Sequence, residues 1–354
     1  MSQIKKVVIA ERKLHFKESF KISYEEVNDV DIIFVKITDN KGHIGVGSAS
    51  ADNFVTGENY KAGYTLVKKL LHPEFFSYPI SYWYKYHLKI QREFKGYPSI
   101  QSAIEEALLN LFCSQKNISL SHLFGGYRSS VETMITIPIK SYKKTLIDFE
   151  EKIKQGFKII KIKCGIDPKE DIKKINGMRE KIRNKRLSLL LDANQGYSVK
   201  ETENIMSQVG SSHIKIFEQP IAANDYEGLS YLKKLKKIPI VADESIVDFA
   251  DAYKLLLTDI VDGVNIKINK CGGPINFIKI FNLASQLRKI TMIGCNYESN
   301  ISITTGATLA CGLPIDYVDL DSGHLDFDDD PCIGGAIVKN GKIYVPDLGR
   351  VDFI

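Results

Sequence analysis

The chain has 354 residues, 44% hydrophobic and 26% charged, which is ordinary globular chain with enough apolar material for a large core and enough length for two domains. Its net charge of +5 is dispersed, and the densest basic run, "YLKKLKKIP" (Tyr231 to Pro239), has leucines at helical spacing and reads as the solvated face of a surface helix, so no nucleic-acid partner is expected. No apolar run approaches the roughly 20 residues that span a bilayer, the first residues lack a signal peptide's apolar core and cleavage site, and six cysteines are scattered without CxxC spacing, so the expectation is a reduced, cytoplasmic protein away from the membrane.

In chain order, "KKVVIAERKLHF" and "DVDIIFVKITDNKGHIGVGSA" predict strands, with a turn at Asp39-Asn40-Lys41-Gly42. From Tyr60 the period becomes helical, first in "YKAGYTLVKKLLH" and then in "SIQSAIEEALLNLFCSQ", where Ile100, Ala103, Ala107, Leu108 and Phe112 fall on one face. "LFGGYRSS" (Leu123 to Ser130) predicts a loop and a domain boundary. Beyond it, short apolar strands alternate with helices: strands are expected at 133–139, 158–163, 187–192, 214–218, 239–243, 262–267, 290–294 and 316–320. Continuous apolar strands separated by helices indicate a parallel sheet covered on both faces, and about eight such units favour a closed β/α barrel. No GxGxxG follows a strand, which counts against a dinucleotide-binding sheet. The tail, "GGAIVKNGKIYVPDLGRVDFI", reads as a hairpin and loop returning to the N-terminal part.

The strand ends carry the chemistry. Strand two ends in Lys161-Ile162-Lys163, two cations pointing to one face. Asp192, Glu218, Asp243 and Lys267 end strands three to six at intervals of 26, 25 and 24 positions, which predicts one charged residue at the same level of successive strands. Strand seven runs into "GCNYES", and strand eight carries Asp319 and Asp321 in "VDLDSG". Alone, an Asp at a strand end is an N-cap or turn former and a Lys is a snorkelling surface residue. Five in register on five successive strands point to a site. Three converging carboxylates repel one another, and a hard divalent cation relieves the repulsion; oxygen ligands favour Mg²⁺ over zinc. A lysine near its ordinary value of about 10.4 is almost never neutral at pH 7, so a lysine base needs a neighbouring cation and desolvation, and Lys161 beside Lys163 is expected to supply the first. The seven histidines show no ligand spacing and read as structural or surface residues, and Gly272-Gly273 reads as turn chemistry or an anion site.

Together "LFGGYR", "KIKCG", "LDANQGY", "EQP", "ADES" and "NIKINKCGG" resemble the enolase superfamily, in its muconate-lactonizing-enzyme subgroup. The resemblance implies an α/β fold: a modified TIM barrel, (β/α)7β, over 129–325, an N-terminal α+β capping domain over 1–128, and a C-terminal return over 326–354 that completes the cap. It implies proton abstraction beside a carboxylate, with Mg²⁺ (Mn²⁺ as substitute) held by Asp192, Glu218 and Asp243, and with Lys163 and Lys267 on opposite faces of the carbon that inverts through an enediolate. "VDLDSG" looks like the Asp-x-Asp motif of dipeptide epimerases, which receives the ammonium of an N-terminal residue. Two carboxylates with no cation nearby suit an amine. Thr136, Lys161 and Cys295 match substrate-contacting positions, and family members form dimers or octamers, so a homo-oligomer is expected. L-Ala-L-Glu, a fragment of cell-wall peptide turnover, is the activity most associated with the family. Here Ser48 replaces the Glu of its "GxGE" stretch. Glu25 and Glu26 stand near where Ala-Glu epimerases place an arginine, leaving Lys17, Lys21 or a neutral second residue as alternatives. The capping loops at 15–30 and 50–60 are expected to decide among them. Other reactions of the subgroup (o-succinylbenzoate synthesis, N-acylamino-acid racemisation, muconate cycloisomerisation) and a noncatalytic metal- or peptide-binding barrel remain the competing readings.

Overall fold

The computed structural model describes residues 3–182, 186–345 and 351–354; positions 346–350 of the expected C-terminal return lie outside the described residues. Three antiparallel strands open the chain: β1 (Ile4–Lys21), β2 (Glu26–Asp39) and β3 (Ile44–Ser50). The Asp39 carboxylate accepts from Lys41 N and His43 N, which fixes the turn between β2 and β3. Helices α1 (Tyr60–Leu70), α2 (Trp83–Glu93) and α3 (Pro98–Lys116) cover one face of this sheet. The sequence pattern gave no sign of α2, because Lys85, Lys89 and Arg92 interleave its buried Tyr86, His87 and Ile90. β3 and α3 meet backbone to backbone. A Cβ at Gly45 would stand 1.9 Å from Ala107 O, and one at Gly47 2.0 Å from Ala103 O, so "GVG" is a demand of close approach.

After α4 (Leu120–Leu123) and β4 (Ser130–Glu132) come eight parallel strands in chain order: β5 (Ile135–Ile137), β6 (Ile159–Lys163), β7 (Ser188–Asp192), β8 (Ile214–Glu218), β9 (Ile240–Ala242), β10 (Gly263–Lys267), β11 (Ile290–Gly294) and β12 (Tyr317–Val318). The connecting helices are α5 (Tyr142–Lys154), α6 (Pro168–Lys181), α7 (Val199–Val209), α8 (Tyr226–Lys234), α9 (Phe249–Leu257), the pair α10 (Ile268–Cys271) and α11 (Pro274–Gln286), and α12 (Asn300–Gly312). Met134 N–H donates to Val318 O at 2.9 Å and joins the last strand to the first. This is the (β/α)7β barrel.

The tail divides. The hairpin of β14 (Ile337–Lys339) and β15 (Lys342–Tyr344) pairs with β4, because its fully buried Ile343 faces Val131 in the barrel's outer core. β13 (Cys332–Gly334) and β16 (Val351–Phe353) pair with each other, and the Phe353 ring lies 5.2 Å from Phe34 of β2.

Cap and barrel are joined through α3. Glu105 Oε2 accepts from Ile275 N at 2.7 Å at the start of α11, and its other oxygen takes His87 Nδ1 at 2.6 Å. Gly272-Gly273, both at positive φ, is turn chemistry: both N–H groups donate to Ile268 O, and a Cβ at Gly273 would stand 2.6 Å from Glu105 Oε2, so glycine there leaves the carboxylate room to approach. Ser48 bonds Ser302 of α12 at 2.7 Å, beside the fully buried Glu106.

Candidate active site

Strand alternation aims the site residues inward. Met134, Leu190, Ile216, Val241 and Met292 form the barrel's inner core. Side chains two positions apart share a face. Two residues on from these inner positions stand Thr136, Asp192, Glu218, Asp243 and Gly294; Ile159 leads likewise to Lys161 and Lys163, and Tyr317 to Asp319 and Asp321. The apolar residues fill the barrel and the charged ones its C-terminal mouth. Lys163, Asp192 and Glu218 are direct register partners across β6, β7 and β8. Beyond β8 the expected common level steps: Asp243 lies two residues past Val241, the partner of Glu218. Strands of a closed barrel tilt and shear, so equal height along the axis is not equal register.

Thr136, Lys161, Lys163, Asp243, Lys267, Cys295, Asp319 and Asp321 line one cavity of about 350 Å³ under the cap. Asp192 and Glu218 are fully buried behind Lys161. The Lys161 ammonium sits 2.9 Å from Asp192 Oδ2, 2.9 Å from Glu218 Oε2 and 2.7 Å from Asp319 Oδ2. Lys163 Nζ donates to Asp192 Oδ2 at 2.7 Å and Asn194 Oδ1 at 2.9 Å. Asp243 turns to Lys267 at 2.9 Å and Lys270 at 2.5 Å. The three acids expected to share a metal therefore divide, two converging on Lys161 and one on the lysines of β10 and α10.

These pairings set the electrostatics. Burial raises the Asp192 carboxyl, but Lys161 and Lys163 outweigh it and hold the group at about 2. Burial and the Asp192 charge push Glu218 up to about 8. Burial likewise lifts Glu244, beside Asp243, to about 7. Burial disfavours the charged form of Lys161, yet Asp192, Asp319 and Glu218 raise it well above its ordinary value. Lys161, the cation expected to lower a neighbouring lysine base, is thus itself held protonated by the three carboxylates around it. A second expectation also changes. Asp319 and Asp321 were read as having no cation nearby, but the long Lys161 side chain crosses the mouth and pairs with Asp319. Asp321 is the carboxylate left over. It accepts from Thr136 N at 2.5 Å, lies 3.9 Å from Cys295 Sγ, and is raised to about 6 by burial and by Asp319.

Several contributors escaped the sequence reading. Lys270, one helical turn after Lys267, also bonds Asp243 O and Asn265 O; Asn265, two before Lys267, donates to Glu218 Oε1 at 2.7 Å. Asn194, at φ 41, links Lys163 to Glu244. Gln219 ties β8 to the β9 end through Asp243 N and Ser245 N. Their signals were the face-sharing spacings of "NIKINK" and the amides that follow the acids in "LDANQ" and "FEQP". Lys17 and Lys21, offered as partners for an acidic substrate group, turn elsewhere: Lys17 to His324 O and Asp328, Lys21 to Glu26.

The donor set fits a hard divalent cation. Glu218 Oε2, Glu244 Oε2 and Asp319 Oδ1 are buried and accept no directed hydrogen bond, Glu218 Oε2 having Lys161 only at ion-pair distance. Six carboxyl groups (Asp192, Glu218, Asp243, Glu244, Asp319, Asp321) face four ammonium groups (Lys161, Lys163, Lys267, Lys270), and Glu218, at about 8, and Glu244, at about 7, hold protons that a divalent cation on these oxygen ligands would displace.

A parallel barrel with acids and lysines at its C-terminal mouth defines a class, and the comparisons place the chain within it. Residues 146–349 match the family described as Enolase C-terminal domain-like. The chain is 33% identical over 347 residues to an L-Ala-D/L-Glu epimerase of Clostridium acetobutylicum, covering 97% of this chain and 96% of that one. It is 31% identical over 348 residues to an L-Lys-D/L-Arg epimerase of Desulforapulum autotrophicum, covering 98% and 97%. The structure of a dipeptide epimerase from Methylococcus capsulatus, complexed with Mg and L-Arg-D-Lys, superposes with a TM-score of 0.91 at 27% identity, covering 99% of this chain and all of that one (100%). The chain belongs to the enolase superfamily, and within it these relatives are dipeptide epimerases.

Proposed function

We propose that the protein is a Mg²⁺-dependent dipeptide epimerase that inverts the α-carbon of the C-terminal residue. The observation that carries this reading is the placement of Lys163 on β6 and Lys267 on β10. They stand four strands apart in a ring of eight, with both side chains lining one cavity. A carbon between them meets an amine on each face. One lysine takes the α-proton and the other returns a proton to the opposite face, which inverts the centre; two amines on one wall would only restore it.

The surrounding residues supply the rest. Asp192, Glu218 and Asp243 would hold Mg²⁺, with Mn²⁺ as a substitute. When bound, the ion stabilises negative charge on the substrate's carboxylate as the proton leaves. Lys161 adds a fixed positive charge beside that carboxylate. Asn194 and Asp243 hold the two catalytic amines in position. Asp321, kept in place by Thr136 N–H and Cys295, receives the ammonium of the N-terminal residue, with Asp319 beside it. A substrate without an ammonium would leave Asp321 facing it unpaired, which disfavours the subgroup's other reactions.

The six cysteines are all free, which supports a reducing, cytoplasmic setting; no helix among the described residues is long and apolar enough to cross a membrane. We extend the reading to a homo-oligomer acting on dipeptides. The test is to incubate the protein with Mg²⁺ and a panel of L,L-dipeptides and to separate the epimers chirally. L,D-product inverted only at the C-terminal residue is expected. A panel returned wholly unchanged contradicts the proposal.

A further inference from the structure

The floor of the cavity is assigned above; its roof is not. The roof is the turn between β1 and β2, the first residues of β2 and the 52–55 turn. Its charged side chains are acidic: Glu25, Asp29 and Asp52. Among the described residues, the basic side chains lining the cavity are Lys161, Lys163 and Lys267, all on the floor, and no arginine lines it. An acidic substrate side chain reaching the roof would thus meet like charge.

Glu25 is the roof carboxylate best placed to act. Ile22 N donates to Glu25 O at 2.9 Å and closes the turn, and Ser23 Oγ donates to Asn194 O at 2.8 Å and seats it on the end of β7. Asn194 is the residue that accepts from Lys163. Glu25 therefore hangs over the cavity from a turn seated at the β7 end, with its carboxylate reaching Tyr297 beyond β11. A substrate side chain that leaves the barrel mouth towards the cap would meet this roof. The other roof acids are engaged: Asp29 pairs with Lys13 at 2.5 Å, and Asp52 Oδ1 accepts from Phe54 N and Val55 N. Glu25 is half-buried and accepts the Tyr297 hydroxyl on Oε1 at 3.1 Å, with Oε2 given no hydrogen bond among the described residues. Burial, only partly offset by Tyr297, holds its carboxyl above the ordinary value, so an incoming cation would relieve it. Beside it the Tyr24 and Phe54 rings stack at 4.0 Å and 17°, offering flat apolar faces. A carboxylate next to aromatic faces suits a long aliphatic stem ending in a positive charge.

We propose that Glu25 sets the substrate class, selecting dipeptides whose C-terminal residue is lysine or arginine over those ending in glutamate. This rests on the epimerase reading, and the test separates the two. Measure kcat/KM with L-Ala-L-Lys, L-Ala-L-Arg, L-Ala-L-Leu and L-Ala-L-Glu for the Mg²⁺-loaded wild type, Glu25→Gln and Glu25→Arg. The wild type is expected to favour the cationic substrates over L-Ala-L-Glu by at least about tenfold. Glu25→Gln should lower the Lys-to-Leu ratio by about tenfold, and Glu25→Arg should turn the Lys-to-Glu preference round. A wild type that handles L-Ala-L-Glu as well as L-Ala-L-Lys, or ratios unmoved by either substitution, overturns this proposal while leaving the epimerase standing. Failure to epimerise any of the four removes both.

Discussion

Asp321 is where a single carboxyl's environment becomes a prediction. Burial and the neighbouring Asp319 raise it to about 6 from the 3.8 of an ordinary aspartate. Above that value it is ionised and attracts an ammonium; below it the carboxyl is neutral and does not. Affinity for a dipeptide's N-terminus should therefore fall as pH drops through about 6. A pH profile of KM checks this, with KM rising towards pH 5 and level from pH 7 to 8. Asp321→Asn should raise KM by about 10- to 100-fold at pH 7.5, in line with the loss of a charged hydrogen bond. A KM independent of pH over this range, or an unchanged KM in Asp321→Asn, would remove Asp321 from ammonium binding. Lys161 shows the other side of the residue scale. Its pairing with Asp319 was not legible, because strand spacing reports where a Cα lies and not how far a long side chain reaches across a barrel mouth.

At the scale of elements, the barrel was legible because the same unit recurs: apolar strand, charged end, amphipathic helix. The inner core and the acids share parity on β7 and β8, so "LLLD" and "IFE" state both the packing and the site. What did not read out was the coupling between units that are distant in sequence. Nothing in "AIEEALL" announces that Glu105 caps α11, 170 positions along the chain, while pairing with His87. Nor does the interleaving of lysines in α2 show its buried face. The cap's docking is testable at this joint. Glu105→Ala leaves the Ile275 N–H and His87 without their buried acceptor, and should cost about 1–3 kcal/mol. Urea unfolding followed by circular dichroism should show the midpoint move down with little change in slope. An unmoved midpoint would mean that the joint contributes nothing to stability.

For the whole molecule, cap and barrel enclose a cavity whose floor carries more carboxyl groups than amines and buried oxygens without directed partners. A divalent cation that binds only the folded chain stabilises it by mass action, by about 2.7 kcal/mol at one hundred times its dissociation constant. Adding Mg²⁺ should raise the thermal midpoint, and excess chelator should lower it and abolish turnover, with Mn²⁺ restoring both. Turnover that persists in excess chelator would contradict the metal assignment.

The central claim is that two lysines face one carbon from opposite walls, and solvent exchange in ²H₂O tests it most directly. Lys163→Ala and Lys267→Ala should each lose epimerisation by about 10³-fold or more. One variant should still exchange the α-hydrogen of the L,L-dipeptide alone, and the other that of the L,D-dipeptide alone. If either variant exchanges both epimers, or epimerises at the wild-type rate, the opposed-lysine account is wrong.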